Sequence, residues 1–380
     1  MVSASAEAIP PHGRLIAIGF RRWKRVQLAP ILHGLRPGQL HFVRDARQAA
    51  VLAPGAADAL LHWGPTAPME LGALAERCGA RVVRLEDGFL RSVGLGSDLI
   101  PPRSLVLDAQ GLYVDATRES ALERLLITTH FTPDELADAA ELRRFIVAHG
   151  LSKYNHEPRR PAHWPAAAGR RTVLVCGQVE DDASIRLGCT TVRTNAQLLA
   201  AARAARPDAF IVFKPHPDVS SGNRPGALAA PDARRWADQV ENHLSVVSCI
   251  EACDELHTMT SLAGFDALLR GKPVTTHGLP FYAGWGLTHD SAADADATLR
   301  RRRRLLSLDE LVAGTLLRYP LYWDPVLRGF TSALAVARHL QRERDALDAR
   351  GALGSLGHGW WRRQRRKAAA LWRAWVGPWR

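Results

Sequence analysis

The sequence predicts an α/β protein of two Rossmann-like domains that face each other across a cleft. Short β-rich runs alternate with helix-like segments in the first half of the chain, and the same alternation returns in the second half. The stretch between them is rich in Pro, Ala and Arg, which is typical of a linker. We therefore expect a first domain at residues 1–155, a linker at residues 156–171, a second domain at residues 172–345 and a basic tail at residues 346–380.

The first half contains several predicted strands and two predicted helices. The strands are expected at residues 15–20, 40–43, 59–62 and 81–85, with two more around a turn at Gln110-Gly111 within residues 104–114. A helix over residues 69–78 is closed by Gly79. Another helix begins after Thr132, because Glu135 stands at the capping-box spacing, and Gly150 ends it.

The second half repeats the pattern. Strands are predicted at residues 172–176, 209–213, 245–247, 256–259 and 273–275, and helices at residues 194–205 and 264–270. Ligands of such sheets bind beyond the carboxyl ends of the strands. The motifs described next all follow predicted strands, so we expect them to lie in the cleft.

The net charge of +12 predicts an anionic partner. Seven Lys/Arg residues lie within residues 360–380, which contain no acid, so a surplus of only five remains for the rest of the chain. This small surplus and the lack of a recognition motif argue against a nucleic-acid-binding protein. The sequence also lacks a Gly-x-Ser-x-Gly elbow, a His-Glu-x-x-His motif and a Walker loop, which excludes the common hydrolase, zinc-protease and NTPase classes.

The five cysteines are dispersed and form no Cys-x-x-Cys pair, which favours buried, reduced thiols and a reducing compartment. Residues 1–11 have neither the basic start nor the apolar stretch of a signal peptide. No apolar run approaches the ~20 residues of a membrane-spanning helix. We therefore expect a cytoplasmic protein.

The first candidate motif is Glu86-Asp87-Gly88, at the end of a predicted strand. Two adjacent carboxylates precede a glycine, which lets the backbone turn. Arg91 and Ser92 follow in a loop with two further glycines, so the stretch could form an anion-binding loop. The alternative is a simple turn or helix cap, because Asp-Gly is common in turns.

The second candidate motif is Lys214-Pro215-His216-Pro217, which follows an apolar strand. The two prolines stiffen the backbone around His216 and prevent a helix there. A rigid histidine beside a lysine suits phosphate binding or proton donation. The alternative is a structural histidine in a tight loop.

Three further loops follow predicted strands. Thr260 and Ser261 precede a helix and offer hydroxyls and free amides to an anion, or form an ordinary N-cap. Gln178 begins a loop whose three consecutive acids, residues 180–182, could bind a divalent metal, although a solvated loop is more common. Residues 278–286 form a glycine- and aromatic-rich loop that we expect to line the cleft.

Longer strings of the sequence resemble the capsule polysaccharide biosynthesis family, whose best-known members are KpsC-type β-Kdo transferases. The strings are Glu86-Asp87-Gly88-Phe89-Leu90-Arg91-Ser92, Gly177-Gln178-Val179-Glu180, Lys214-Pro215-His216-Pro217 and Leu279-Pro280-Phe281-Tyr282-Ala283-Gly284-Trp285-Gly286. The resemblance spans about residues 80–325 and implies a GT-B-like glycosyltransferase. The best-known members carry two transferase modules in a longer chain, whereas this sequence has room for one, so the number of linkages it forms stays open.

The resemblance implies transfer of Kdo from CMP-β-Kdo, with retention, to a lipid-linked saccharide at the cytoplasmic face of the inner membrane. Asp87 is then expected to be the nucleophile, with Glu86 assisting it and His216 stabilising the departing phosphate. The expected donor-binding residues are Lys214, His216, Thr260 and Ser261 at the phosphate, Gln178 at the nucleotide, Arg91 at the sugar carboxylate and Ser92 in the same loop. Neither a metal nor a cofactor is expected.

Two alternatives remain open. A sialyl- or polysialyltransferase shares the acid-acid-Gly and His-Pro motifs and differs in its CMP-sugar donor. A non-catalytic capsule export or scaffold protein would bind acidic glycan through arginines. Other capsule assembly proteins are expected partners in either case.

The basic tail predicts an amphipathic helix. Trp361, Trp372, Trp375 and Trp379 fall within a ~60° arc of one helix face, with the basic residues outside it. This pattern is typical of a helix at an anionic membrane surface, and packing of the stripe on the protein body is the alternative. The five arginines of residues 300–304 predict a solvated loop, or else a patch that faces the membrane or the acceptor.

Overall fold

The computed structural model describes residues 3–10, 12–220, 226–291 and 296–353, together with seven positions between residues 364 and 375. Most of the amphipathic helix predicted for the tail, including Trp361 and Trp379, lies outside the described residues. The described tail positions are helical, and Trp372 and Trp375 are each 69% exposed. No helix in the described part of the chain is both long and apolar enough to cross a bilayer.

The strands form two sheets. They are β1 (Arg14–Ile18), β2 (Gln39–Val43), β3 (Ala59–Trp63), β4 (Arg81–Asp87), β5 (Ser104–Asp108), β6 (Thr172–Cys176), β7 (Phe210–Lys214), β8 (Gln239–Val240), β9 (Glu255–Thr258), β10 (Val274–Thr276), β11 (His289–Asp290), β12 (Leu321–Asp324) and β13 (Gly329–Phe330). The first sheet has the order β13-β12-β5-β4-β3-β1-β2, and the second has the order β11-β10-β9-β6-β7-β8.

Helices connect most of the strands. They are α1 (Ala4–Glu7), α2 (Arg22–Gly34), α3 (Ala46–Val51), α4 (Met69–Cys78), α5 (Ala121–Thr128), α6 (Pro133–Ala148), α7 (Ala183–Gly188), α8 (Asn195–Ala205), α9 (Pro217–Ser220), α10 (Ala230–Ala233), α11 (Val246–Ala252), α12 (Leu262–Leu269), α13 (Asp296–Arg301), α14 (Leu308–Val312) and α15 (Ala333–Ala349).

Both sheets have the parallel core of a Rossmann-like unit. In the first sheet β1 pairs in parallel with β2 and with β3, and β3 pairs in parallel with β4. The strand β5 runs antiparallel to β4. In the second sheet every pair is parallel. All five residues of β6 and of β7 are buried, as expected for parallel strands that are covered on both faces. The two Rossmann-like units predicted from the sequence are confirmed.

Capping residues decide several element boundaries. Thr132 and Glu135 form the predicted capping box at the start of α6. The strand predicted at residues 245–247 is wrong, because Ser245 accepts a hydrogen bond from the backbone N–H of Ser248 and thereby caps α11. The apolar run after Ser245 had suggested a strand, but three residues cannot distinguish a strand from a buried helical turn.

Residues 104–114 contain one strand rather than the two predicted. The strand β5 ends at Asp108, whose carboxylate accepts hydrogen bonds from the backbone N–H groups of Gln110 and Gly111. The same carboxylate accepts a hydrogen bond from the backbone N–H of Ala121 at the start of α5. These bonds hold the chain in a turn that leads toward a helix, so no second strand forms.

The chain returns to the first sheet near its end. The strands β12 and β13 lie within residues 172–345, the range predicted for the second domain, but β12 pairs with β5. The side chains of Leu321 and Trp323 pack in the same apolar cluster as β1 and β3, which explains this return. The helix α15 then packs against α6. The first sheet is therefore built from both ends of the described chain.

The five-arginine run is only partly the solvated loop that the sequence predicted, because Arg300 and Arg303 are exposed whereas Arg302 is buried. Arg302 is 5% exposed, and Arg301 and Arg302 both donate to the carboxylate of Glu123, at 2.8 Å and 3.1 Å. Arg302 also donates to the backbone carbonyls of Pro280 and Ala283. Because a buried guanidinium needs a charged partner and several acceptors, the run holds the 278–286 loop in place.

Candidate active site

A cavity of about 370 Å³ is lined by residues that follow strands of both sheets. The first sheet contributes the carboxyl end of β4, and the second contributes the loops after β6, β7 and β9, where ligands of such sheets bind. The cavity brings together seven of the predicted site residues: Glu86, Asp87, Gln178, Lys214, His216, Thr260 and Ser261.

Arg91 and Ser92 do not belong to the cavity wall. Arg91 is 5% exposed, and its Nε donates to Oδ2 of Asp87 at 2.7 Å. Its Nη1 donates to Oγ of Ser92, which in turn donates to the backbone carbonyl of Gly94. Arg91 therefore pairs with Asp87 from behind and balances its charge, and it does not face the cavity in which the sugar carboxylate is expected.

Asp87 and Glu86 have different environments although they are adjacent. Oδ2 of Asp87 binds Arg91, whereas its Oδ1 is buried and has no hydrogen-bond partner among the residues that the structure describes. Oε1 of Glu86 accepts a hydrogen bond from the backbone N–H of Asp87. Burial, together with the negative charge of Asp87, raises the pKa of Glu86 to about 7. The pair thus combines an anchored carboxylate with a carboxyl group that can exchange a proton near neutral pH.

His216 has a defined neutral tautomer. Its Nδ1 accepts a hydrogen bond from the backbone N–H of Asp218 at 3.1 Å, so the ring proton of the neutral form lies on Nε2. Burial lowers the pKa of His216 from its ordinary value, and the nearby carboxylate of Asp218 opposes this shift. Among the residues that the structure describes, the Nε2–H of His216 has no hydrogen-bond partner, so a neutral imidazole can donate this hydrogen to an anion.

Gln178 and Thr260 bind each other across the cavity wall. Oε1 of Gln178 accepts from the backbone N–H of Thr260 at 2.8 Å, and its Nε2 donates to Oγ1 of Thr260 at 3.0 Å. Ser261 accepts from the backbone N–H of Ala263 and caps α12. Gln178 therefore holds the start of α12 in position, because both ends of its amide are already engaged.

Lys153 is a site residue that the sequence interpretation missed. It lines the cavity. Burial lowers the pKa of Lys153, but Tyr113 and Tyr154 and, to a smaller extent, the carboxylates of Asp87 and Glu86 raise it above its ordinary value. Its backbone carbonyl accepts from the N–H groups of Arg91 and Ser92, which ties this loop to the acid motif. No local motif marks Lys153, but the chain contains only five lysines among 50 Lys and Arg residues, and that scarcity was a usable signal.

Asp266 was also missed. It lies in the otherwise apolar helix α12, lines the cavity and is 7% exposed. Burial raises its pKa to about 7, although the positive charge of Arg270 opposes the shift. A single acid in a buried, apolar helix was the available sequence signal, because such a position is costly unless a ligand or partner uses it.

The sequence matches the capsule polysaccharide biosynthesis protein family over residues 58–322. This match covers more than half of the chain, and it includes the acid motif, the His-Pro motif and the loop at residues 278–286. The chain belongs to this family.

Curated relatives agree with this assignment. The chain is 40% identical over 335 residues to the capsule polysaccharide modification protein LipA of Neisseria meningitidis serogroup B, a match of 88% of this chain and 46% of the relative. It is 36% identical over 314 residues to the lipopolysaccharide-processing protein LpsZ of Rhizobium meliloti, covering 81% of this chain and 70% of the relative. The chain thus spans about half the length of LipA.

Two solved structures share the fold. They are the β-Kdo 2,7 transferase and the β-Kdo 2,4 transferase of KpsC from Thermosulfurimonas dismutans, with TM-scores of 0.70 and 0.72 and identities of 32% and 31%. This chain is covered to 87% and 86%, and the two solved chains to 99% and 97%. The fold is GT-B-like, as the sequence predicted.

Proposed function

We propose that the protein is a glycosyltransferase of capsule or surface polysaccharide synthesis that transfers Kdo from CMP-β-Kdo to a saccharide acceptor with retention of configuration. The main support is the position of Asp87, which shares one cavity with Lys214 and His216. Arg91 anchors one of its carboxylate oxygens, and the other has no hydrogen-bond partner within the described ranges. The likeness to two β-Kdo transferase structures supports the proposal.

The donor fits the cavity by charge. The CMP phosphate would lie at the Nε2–H of His216, near Lys214 and the amino end of α12, where Ser261 is the cap. The sugar carboxylate would pair with the ammonium of Lys153, which takes the role predicted for Arg91. Asp266 would hydrogen-bond to hydroxyl groups of the nucleoside farther along α12.

Two displacements give retention. In the first step a carboxylate oxygen of Asp87 attacks the anomeric carbon of Kdo, the bond to the phosphate oxygen breaks, and CMP leaves with that electron pair. His216 stabilises the phosphate charge that develops. In the second step an acceptor hydroxyl attacks the same carbon, the ester bond to Asp87 breaks, and Glu86 takes the hydroxyl proton. A pKa of about 7 suits Glu86 to this task. Neither a metal nor a cofactor takes part in these steps.

The donor and the stereochemistry are tested together. The full chain is incubated with CMP-Kdo generated in situ, or with CMP-sialic acid, and a Kdo-terminated lipid acceptor, and the product is analysed by NMR. We expect CMP release from CMP-Kdo and a β-linked product. Preference for CMP-sialic acid would favour a sialyl- or polysialyltransferase, and an α-linked product would contradict retention. Absence of CMP release from either donor would favour a non-catalytic export or scaffold protein.

We also propose that the tail holds the protein on the anionic cytoplasmic face of the inner membrane, where a lipid-linked acceptor and other capsule assembly proteins would be met. Leu371, Trp372 and Trp375 are exposed, which supports a surface that faces the membrane. The guanidinium of Arg22, which lies 4.7 Å from the ring centroid of Trp375, joins this part of the tail to α2. Removing residues 356–380 is expected to abolish binding to anionic liposomes. Unchanged liposome binding by the truncated chain would contradict this proposal.

A further inference from the structure

A second lysine lies beside the acid motif, on the side of the first sheet. The strand β1 ends at Ile18, and Lys24 stands in the first turn of the helix α2 that follows it. The strand β3 ends at Trp63. Because β1, β3 and β4 are neighbours in the sheet, their carboxyl ends bring Lys24 and Trp63 next to Glu86 and Asp87. Both carboxylates act electrostatically on the Lys24 ammonium.

The ammonium of Lys24 is positioned but not neutralised. Its Nζ lies 2.9 Å from the ring centroid of Trp63, which is a cation–π contact. In the described ranges Nζ has neither a hydrogen bond nor an ion pair. Burial lowers the pKa of Lys24 to about 8, although Asp87 and Glu86 oppose the shift, so the group stays mostly charged at neutral pH. Trp63 therefore holds a cation whose N–H groups that point away from the ring can donate to an incoming anion.

The distribution of lysine supports a functional role. The chain uses arginine for nearly all of its positive charge and contains only Lys24, Lys153, Lys214, Lys272 and Lys367 as lysines. Three of these five surround the acid and His-Pro motifs. Lysine presents a compact point charge with three rotatable donors, whereas arginine is a planar fork. In the proposed reaction Lys214 serves the donor phosphate and Lys153 serves the donor carboxylate, which leaves Lys24 for a third anion.

We propose that Lys24 binds the carboxylate of an acidic acceptor sugar and thereby places an acceptor hydroxyl at Glu86 and Asp87. This inference rests on the function proposed above and assigns the acceptor subsite to the first sheet, opposite the phosphate-binding loops. An acidic acceptor brings a negative charge to a pair of carboxylates that already face an acidic donor. A cation on the acceptor side offsets this repulsion, and Lys24 can supply it because it lies just outside the cavity wall and interacts electrostatically with both carboxylates.

The test compares two acceptors that differ in one charge. Synthetic Kdo glycosides with a free carboxylate, or with the corresponding carboxamide, are used with wild type, Lys24→Met and the control Arg47→Met. Methionine keeps an apolar stem against Trp63, and Arg47 is an exposed cation on α3 of the same domain. Wild type and Arg47→Met are expected to prefer the carboxylate acceptor by roughly 10- to 100-fold in kcat/KM, the value of one charge-assisted hydrogen bond. In Lys24→Met this preference is expected to fall to about 1.

CMP release from CMP-Kdo without acceptor is measured in parallel and separates the two proposals. Release by wild type and by Lys24→Met, combined with an undiminished preference of the variant for the carboxylate acceptor, would overturn the acceptor role of Lys24 alone. Absence of release by the wild type would overturn the proposed function and this inference with it. A wild type that releases CMP but does not distinguish the two acceptors would also overturn the role of Lys24.

Discussion

Replacing Asp87 by asparagine is expected to lower kcat for CMP release from CMP-Kdo by at least about 10⁴-fold, because removal of a covalent nucleophile typically costs this much or more. Asparagine keeps the shape of the side chain and can still accept a hydrogen bond from Arg91. The loss would therefore report the missing nucleophilic oxygen rather than a rearranged loop. The measurement is a single-turnover assay of CMP release with enzyme in excess.

Asp58→Asn is the matched control for this variant. Asp58 is 5% exposed, lies in the first domain and pairs with Arg14 at 2.6 Å, but it does not line the cavity. Its substitution breaks a comparable aspartate–arginine pair far from the proposed chemistry. We expect Asp58→Asn to lose stability toward urea while it keeps CMP release per folded molecule within about threefold of wild type. Comparable CMP release by Asp87→Asn and Asp58→Asn would refute the nucleophile assignment.

His216→Ala is expected to lower kcat for CMP release by about 10² to 10³-fold, the usual cost of removing one donor to a developing anion. The donor to the phosphate oxygen is the neutral Nε2–H. The control is His243→Ala, which removes an exposed histidine from the second domain and is expected to behave as wild type. Loss in His216→Ala of less than about threefold would contradict the phosphate role.

The pH dependence gives a second readout for the same residue. Because burial lowers the pKa of His216, its neutral form persists below the ordinary titration range of histidine, so CMP release should not fall between pH 6 and 8 through loss of its proton. Transfer to the acceptor should instead increase through about pH 7, since Glu86 becomes an effective base only when it is deprotonated. A decline of CMP release as pH rises through 6 to 8 would indicate a cationic histidine instead.

The strand-end motifs were predictable because their signals are local. Asp87 and His216 each follow an apolar strand, and parallel strands deliver their carboxyl ends to a common edge. The sequence near a turn does not determine in which direction a side chain beyond that turn points. Arg91 lies four residues after Asp87, and the sequence could not show that it folds back onto Asp87 instead of facing the cavity.

The arginine run and the two overlooked lysines also depend on partners that are distant in the sequence. The five-arginine run reads as solvated because its main partner, Glu123, is almost 180 residues away in the sequence. Lys153 and Lys24 come from segments without a motif. The order of β1, β3 and β4 brings Lys24 to the acid pair, whereas the backbone carbonyl of Lys153 accepts hydrogen bonds from the loop that follows Asp87. The small number of lysines in the chain was the one sequence property that pointed to both residues.

The longer relatives of this chain raise the question of which linkage the product contains. The chain spans about half of LipA, and it resembles the 2,7 and the 2,4 β-Kdo transferase structures about equally. We expect the linkage to depend on how the proposed acceptor subsite at Lys24 orients the accepting hydroxyl. Linkage analysis of the product by NMR would establish which hydroxyl reacts.

In the proposed mechanism Asp87 forms a covalent bond to the transferred sugar. The most direct measurement is mass spectrometry of the protein mixed with CMP-Kdo in the absence of acceptor, followed by peptide mapping of any adduct. We expect a mass increase of one Kdo residue on the peptide that contains Asp87, and its loss when acceptor is added. A β-linked product formed without any adduct on this peptide, or an adduct that persists in Asp87→Asn, would contradict the claim.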